Sequence, residues 1–120
     1  MSQRFTFNAY VLSVIDAKRI CVRIDPNYLE IVSNRLTNAN DKTIFKDTVI
    51  VNVNDAVFNI DFNWNELTDL VGVNIKINAA TRKYNFYKSK TLYDENNEVR
   101  KSFMQCKGVL LTAKTISTNI

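Results

Sequence analysis

The sequence predicts a single, mainly β domain, a small closed or half-closed antiparallel barrel with one or two short helices. Three observations carry this. Apolar and polar residues alternate through much of the 120-residue chain, the period of strands with one buried face. β-Branched and aromatic residues are abundant, and they suit a pleated, half-buried surface. Turns fall to asparagine and aspartate, which tolerate left-handed backbone angles, because there are only two glycines and one proline. Many short strands with few edge-blocking prolines favour closure, which protects their edges. No repeat, linker or low-complexity block divides residues 1–120, so one domain is expected.

The elements follow in order. Phe5, Phe7, Ala9 and Val11 alternate with Thr6, Asn8 and Tyr10, which gives a first strand. A turn at Asp16–Ala17–Lys18 leads to a partner strand with Ile20, Val22 and Ile24 inward and Cys21 and Arg23 outward. Asp25–Pro26 ends it. The period then changes: Tyr28, Leu29, Val32 and Leu36 share a helical face, with Ile31 beside it. Asp25 or Asn27 is the expected N-cap, and Asn38 or Asn40 the expected end.

Strand alternation resumes from Ile44. Val49, Val51 and Val53 precede an Asn54–Asp55 turn, and Phe58, Ile60 and Phe62 follow it, which reads as a second hairpin. Residues 63–70 allow one helical turn capped by Asn65. Val71, Val73, Ile75 and Ile77 then open a third hairpin, with its turn expected at Asn78 to Arg82. Its return strand sets Tyr84, Phe86 and Lys88 against Lys83, Asn85 and Tyr87, with Phe86 and Tyr84 candidates for the core. Residues 93–99 read as a polar loop. A last strand is expected from Lys107 to Ile116.

The composition excludes several chemistries. With no histidine, the commonest general base and metal ligand is missing, and so are Ser-His and Cys-His pairs. Two glycines cannot build a phosphate-binding glycine-rich loop. Asp55, Asp61, Glu66 and Asp69 lie close in sequence, but a solvated face with helix-start charges explains them better than a divalent-cation site. No catalytic residue, cofactor or metal is therefore expected. Cys21 and Cys106 lack metal-site spacing and are expected as reduced thiols. With no sequon among the sixteen asparagines, no signal peptide and no apolar run of membrane-spanning length, they favour an intracellular address, cytoplasmic or nuclear.

The charge distribution is informative. The net charge is +4, and residues 81–93 alone supply that excess through Arg82, Lys83, Lys88 and Lys90. The same stretch holds Tyr84, Phe86, Tyr87 and Tyr93. Interleaved cations and aromatic rings are what single strands require, one for phosphates and the other for stacked bases. Lys76, Arg100 and Lys101 flank it. The candidate nucleic-acid-binding residues are thus Lys76, Arg82, Lys83, Tyr84, Tyr87, Lys88, Lys90, Tyr93, Arg100 and Lys101, with Trp64 as an outlying stacking candidate.

The strands around Leu70 to Tyr87, followed by Cys106 to Ile116, resemble OB-fold single-stranded DNA-binding proteins across the span from Leu70 to Ile116, the loop excluded. In that family a glycine interrupts an early strand, here Gly72, and a small residue breaks a late one, here Gly108. The resemblance implies an OB-like barrel with a basic, aromatic groove. It implies a non-catalytic protein that binds single-stranded nucleic acid, DNA favoured over RNA, with low sequence specificity. A homo-oligomer suits this reading, because cooperative coverage of strands is common. Residues 11–25 also resemble the opening hairpin of staphylococcal-nuclease-like domains. Those enzymes carry Asp-Gly-Asp-Thr where this chain has Asp16–Ala17–Lys18–Arg19, which implies an inactive relative kept for binding. The Asn-, Ile- and Lys-rich composition resembles proteins of AT-rich genomes, including phages and large DNA viruses, and so allows a virus-infected host cell. The rival expectation is a protein-interaction or virion structural β domain whose basic face merely meets solvent.

Overall fold

Strand β1 (Phe5–Asp16) is the hinge of the architecture. Its first half pairs with β5 (Asn74–Tyr93), and its second half with β2 (Arg19–Ile24), both antiparallel. Two register shifts, between Val11 and Ser13 and between Val14 and Asp16, fall along the half that pairs with β2. Bulges of this kind increase twist and bend a strand, so β1 can serve two neighbours. The β1–β2 reversal occupies Ala17 and Lys18. Asp16 fixes it by accepting from the Lys18 amide at 2.8 Å and the Arg19 guanidinium at 2.7 Å.

The computed structural model describes residues 4–39, 47–93 and 95–118, and within them leaves the side chains of 37–39, 83–90 and 100–109 undescribed. The ring closes as β1–β2–β3–β6–β5–β1, with β3 at Thr48–Asn52 and β6 at Val99–Ser117. Four of the seams are antiparallel. The fifth, β3 against β6, is parallel, with Val51 opposite Leu111. The result is a closed five-stranded, OB-like barrel. Inward positions from all five staves fill it, among them Phe7, Val11, Ile20, Val22, Val51, Ile75, Ile77 and Leu111, each fully buried. The alternation expected from Phe5 to Val11 and from Ile20 to Ile24 holds residue by residue, and in β1 it breaks after Val11, where the bulges begin.

Helix α1 (Leu29–Ala39) joins β2 to β3 after a 3₁₀ turn at Pro26–Tyr28. Asp25 caps that turn by accepting from the Asn27 amide at 2.9 Å, and Pro26 occupies the first turn, where a missing N–H costs nothing. Val32 and Leu36 are buried against the barrel, Tyr28 and Leu29 are half-buried there, and Ile31 is exposed. The expected C-terminal caps, Asn40 and the side chain of Asn38, lie outside the described residues, as do Ile44 and Phe45.

Two expected hairpins are corrected. Asn54 and Asp55 do form a turn, with the Asn54 amide donating to Asn52 Oδ1 at 3.0 Å. The chain does not reverse there. β4 (Val57–Asn59) runs on in the same direction as β3, and both lie parallel to β6, at Leu111–Thr112 and Thr115–Ser117 respectively. The turn therefore steps the chain along one neighbour. The reversal expected at Asn78 to Arg82 is also absent: β5 passes straight through to Tyr93. Ala79, Ala80 and Thr81 have no left-handed residue among them. The chain reverses instead beyond Tyr93, where Asn97 adopts a φ of 59°.

A register shift lies where β5 passes that point: Asn78 faces Thr115 while Ala79 faces Ala113, leaving Lys114 as the extra, exposed residue of β6. The bulge explains why Ala113 and Ile116, an odd number of residues apart, are both buried.

The helical turn is also where expected, as a 3₁₀ turn at Leu67–Leu70, but its cap differs. Asp69 reaches back to accept from the amides of Asn65 at 2.8 Å and Glu66 at 3.1 Å, and these bonds hold its carboxyl below the usual value. Asn65 is thus a donor to the cap and not its source. Gly72 follows, with φ +86°, and its amide donates to the Val11 carbonyl at 2.8 Å. A Cβ there would meet the Tyr10 hydroxyl at 3.5 Å, an ordinary contact. The cost of Gly72→Ala is therefore backbone strain, about 1–2 kcal/mol, which urea unfolding should register as a lowered midpoint at unchanged slope.

Candidate nucleic-acid interface

Beyond the barrel, β5 and β6 leave their other neighbours. The β1 ladder on β5 ends at Ala79, and the β3 ladder on β6 begins at Leu111. From Arg82↔Leu110 to Tyr93↔Val99 the two strands pair only with each other. Twelve residues at a strand rise of 3.3 Å give an arm of roughly 40 Å. The long axis of the molecule, 62 Å against 32 and 25 Å, reflects it. So does the radius of gyration, 17.4 Å, against about 14 Å for a compact chain of this length.

Nine of the ten candidate residues lie on this arm. Arg82 stands exposed at its base, opposite Leu110. Lys83, Tyr84, Tyr87, Lys88 and Lys90 follow, at positions facing Val109, Gly108, Gln105, Met104 and Ser102. Arg100 and Lys101 return opposite Leu92 and Thr91. Tyr93, at the far end, is 70 % exposed. Lys76 is separate, exposed on the barrel wall beside Asn8 and Ser117. The expectation that Phe86 and Tyr84 enter the core concerns side chains outside the described set; their positions belong to the arm. Trp64 packs against Phe58, ring centroids 4.9 Å apart, and is half-buried.

The arm sorts the charge of the molecule. Its paired segments hold seven basic residues and no acid, since Lys107 joins those already named. Sequence alone places Lys107 at the start of a separate last strand, whereas it pairs opposite Asn85 within the arm. The connecting loop holds Asp94, Glu95 and Glu98, and the remaining body balances nine basic residues with nine acidic. A ribbon of uniform sign attracts a polyanion and exchanges its counterions. Leu92, Tyr93 and Val99 make its far end apolar and exposed.

Among the described residues the acids of the body form no competing centre. Asp69 is spent on its turn, and no cluster of three metal-ligating side chains occurs among the described residues. Cys21 is a free, half-buried thiol on β2. Among the described residues no helix is long and apolar enough to cross a membrane. No protein-family model matches the chain, and comparison with curated proteins and with solved structures finds no match either. Fold and arm together define the class, an OB-like barrel with a basic β-ribbon.

Proposed function

We propose that this chain is a non-catalytic protein that binds single-stranded nucleic acid, DNA before RNA, with little sequence preference. The supporting observation is the arm, with seven cations, no acid and interleaved aromatic positions on a ribbon that pairs with no other strand among the described residues. An isolated two-stranded ribbon is marginal in water, so a polyanion lying along it both neutralises and braces it. OB barrels hold oligonucleotides partly through the loop between their fourth and fifth staves. Here β5 and β6 are the fourth and fifth staves in chain order, and the arm grows from their connection. That is support by analogy of fold.

Fluorescence anisotropy with single- and double-stranded oligonucleotides across salt tests the reading. Single strands should be retained at ~50 mM salt and released as salt rises. Changing Lys83, Tyr87 and Lys88 to Ala should weaken binding and flatten the log–log salt slope by roughly 1.4, at ~0.7 for each of the two lysines removed from a phosphate. A folded protein that ignores oligonucleotides at low salt would sink the proposal, and tighter duplex binding would redirect it, since a β-ribbon also fits the major groove.

The exposed apolar end of the arm favours a second reading, a protein-interaction or virion structural domain. A stable assembly on light scattering that is indifferent to salt and oligonucleotide would select it.

A further inference from the structure

The body carries a site that the arm does not explain. On the outer face of β2, β1 and β5 the register sets Tyr10 between Arg23 and Asn74, with Asn8 and Lys76 paired two residues along. A cleft of about 390 Å³ opens there, lined by Asn8, Tyr10, Arg23, Asp25, Pro26 and Asn74. That is the size of a small-molecule pocket.

Its polar groups are unequally engaged. Asp25 is engaged through one carboxylate oxygen and its backbone: Oδ1 accepts from the Asn27 amide, and the Asp25 amide donates to the Asn8 carbonyl at 3.0 Å. Arg23 is exposed, makes no ion pair among the described residues, and lies over the Tyr10 ring, 5.2 Å from the centroid. The side-chain oxygen of Asn8 is buried and accepts no hydrogen bond. Such an atom is costly until a donor reaches it.

We propose that this cleft holds one nucleotide unit. The base stacks on the guanidinium layer that covers Tyr10, as bases do on arginine planes. An N–H of its pairing edge meets Asn8, whose terminal torsion is broad enough to turn the buried oxygen toward the cleft. The phosphate lies toward Lys76. Asn74 precedes Arg82 by eight residues, roughly 26 Å of strand, so the site is separate from the arm and does not depend on it.

The test is an amide NMR titration of the full chain with adenosine monophosphate and, separately, ribose 5-phosphate. Adenosine monophosphate should shift Tyr10, Arg23 and Asn74, and ribose 5-phosphate should not. Arg23→Ala should weaken binding at least about fivefold, the lower bound for one stacked base. Arg23→Lys, which keeps the charge but loses the plane, should weaken it too. Equal response to both ligands, full affinity in Arg23→Lys, or no response to millimolar nucleotide would overturn the site. A trinucleotide that binds more tightly than the monophosphate supports the site as a holder of a strand residue, and equal binding supports it for a free nucleotide. Nucleotide binding here with no oligonucleotide on the arm would defeat the arm's role alone.

Discussion

Replacing Lys83–Val109 by Asn-Gly will leave a folded barrel that no longer retains single-stranded oligonucleotide. Arg82 and Leu110 are already cross-strand partners, so a two-residue turn can join them without moving either stave. The inward residues nearest the cut, Ala79 and Leu111, keep their neighbours on β1 and β3. Thermal unfolding by circular dichroism should therefore remain cooperative, with a midpoint within a few degrees of the intact protein, since no described core residue is removed. Binding is another matter. Seven cations contacting phosphates of a single strand give a log–log salt slope of roughly −5, and thus about a thousandfold loss between 50 and 200 mM salt. The excised protein keeps one of the seven, Arg82. Its anisotropy titration should be nearly flat at salt concentrations where the intact chain saturates. A barrel that still binds with an undiminished salt slope would move the interface off the arm.

The barrel is legible in the sequence and the arm is not, for one reason. Period-two alternation reports which face of a strand is buried, and it places Phe5 to Val11, Ile20 to Ile24 and Ile75 to Ile77 correctly on the core side. Alternation says nothing of where a strand stops. β5 carries its pattern past Ala79 with no residue that forces a turn, so the expected reversal at Asn78 to Arg82 has no chemical basis beyond one asparagine. Partner choice is equally hidden. The Asn54–Asp55 turn is real, yet β3 and β4 both pair with β6, and only the closed barrel decides that. The candidate residues are visible because composition is local; their gathering on one ribbon, with Lys107 added, depends on the chain reversing beyond Tyr93 and not at Asn78 to Arg82, which alternation does not report. Tyr10 and Arg23 read only as outward positions, and their ring contact is a product of cross-strand register.

Phe7→Ala will destabilise the barrel by about 3–5 kcal/mol, a large share of the ~5–15 kcal/mol that holds a domain of this kind together. Phe7 is fully buried on β1, stacked on Phe5 at 5.5 Å, with Ile77 as its partner on β5. It lies on the stretch of β1 that precedes the bulges and is held by β5. A cavity there weakens packing on the stave to which both of its neighbours are fixed. Exposed Ile50, on the outer side of β3, is the control, and Ile50→Ala should stay within about 0.5 kcal/mol. Urea unfolding separates the two. Hydrogen exchange adds a sharper test of how barrel and arm are coupled. Amides of Phe7, Ile77 and Leu111 should exchange only by global opening, while the arm, which has no third strand, opens at lower cost. Phe7→Ala should then lower protection in the barrel and leave the arm's unchanged until the two free energies meet. Equal loss of protection in both would mean that arm and barrel fold as one unit, and excision of the arm would then cost stability as well as binding.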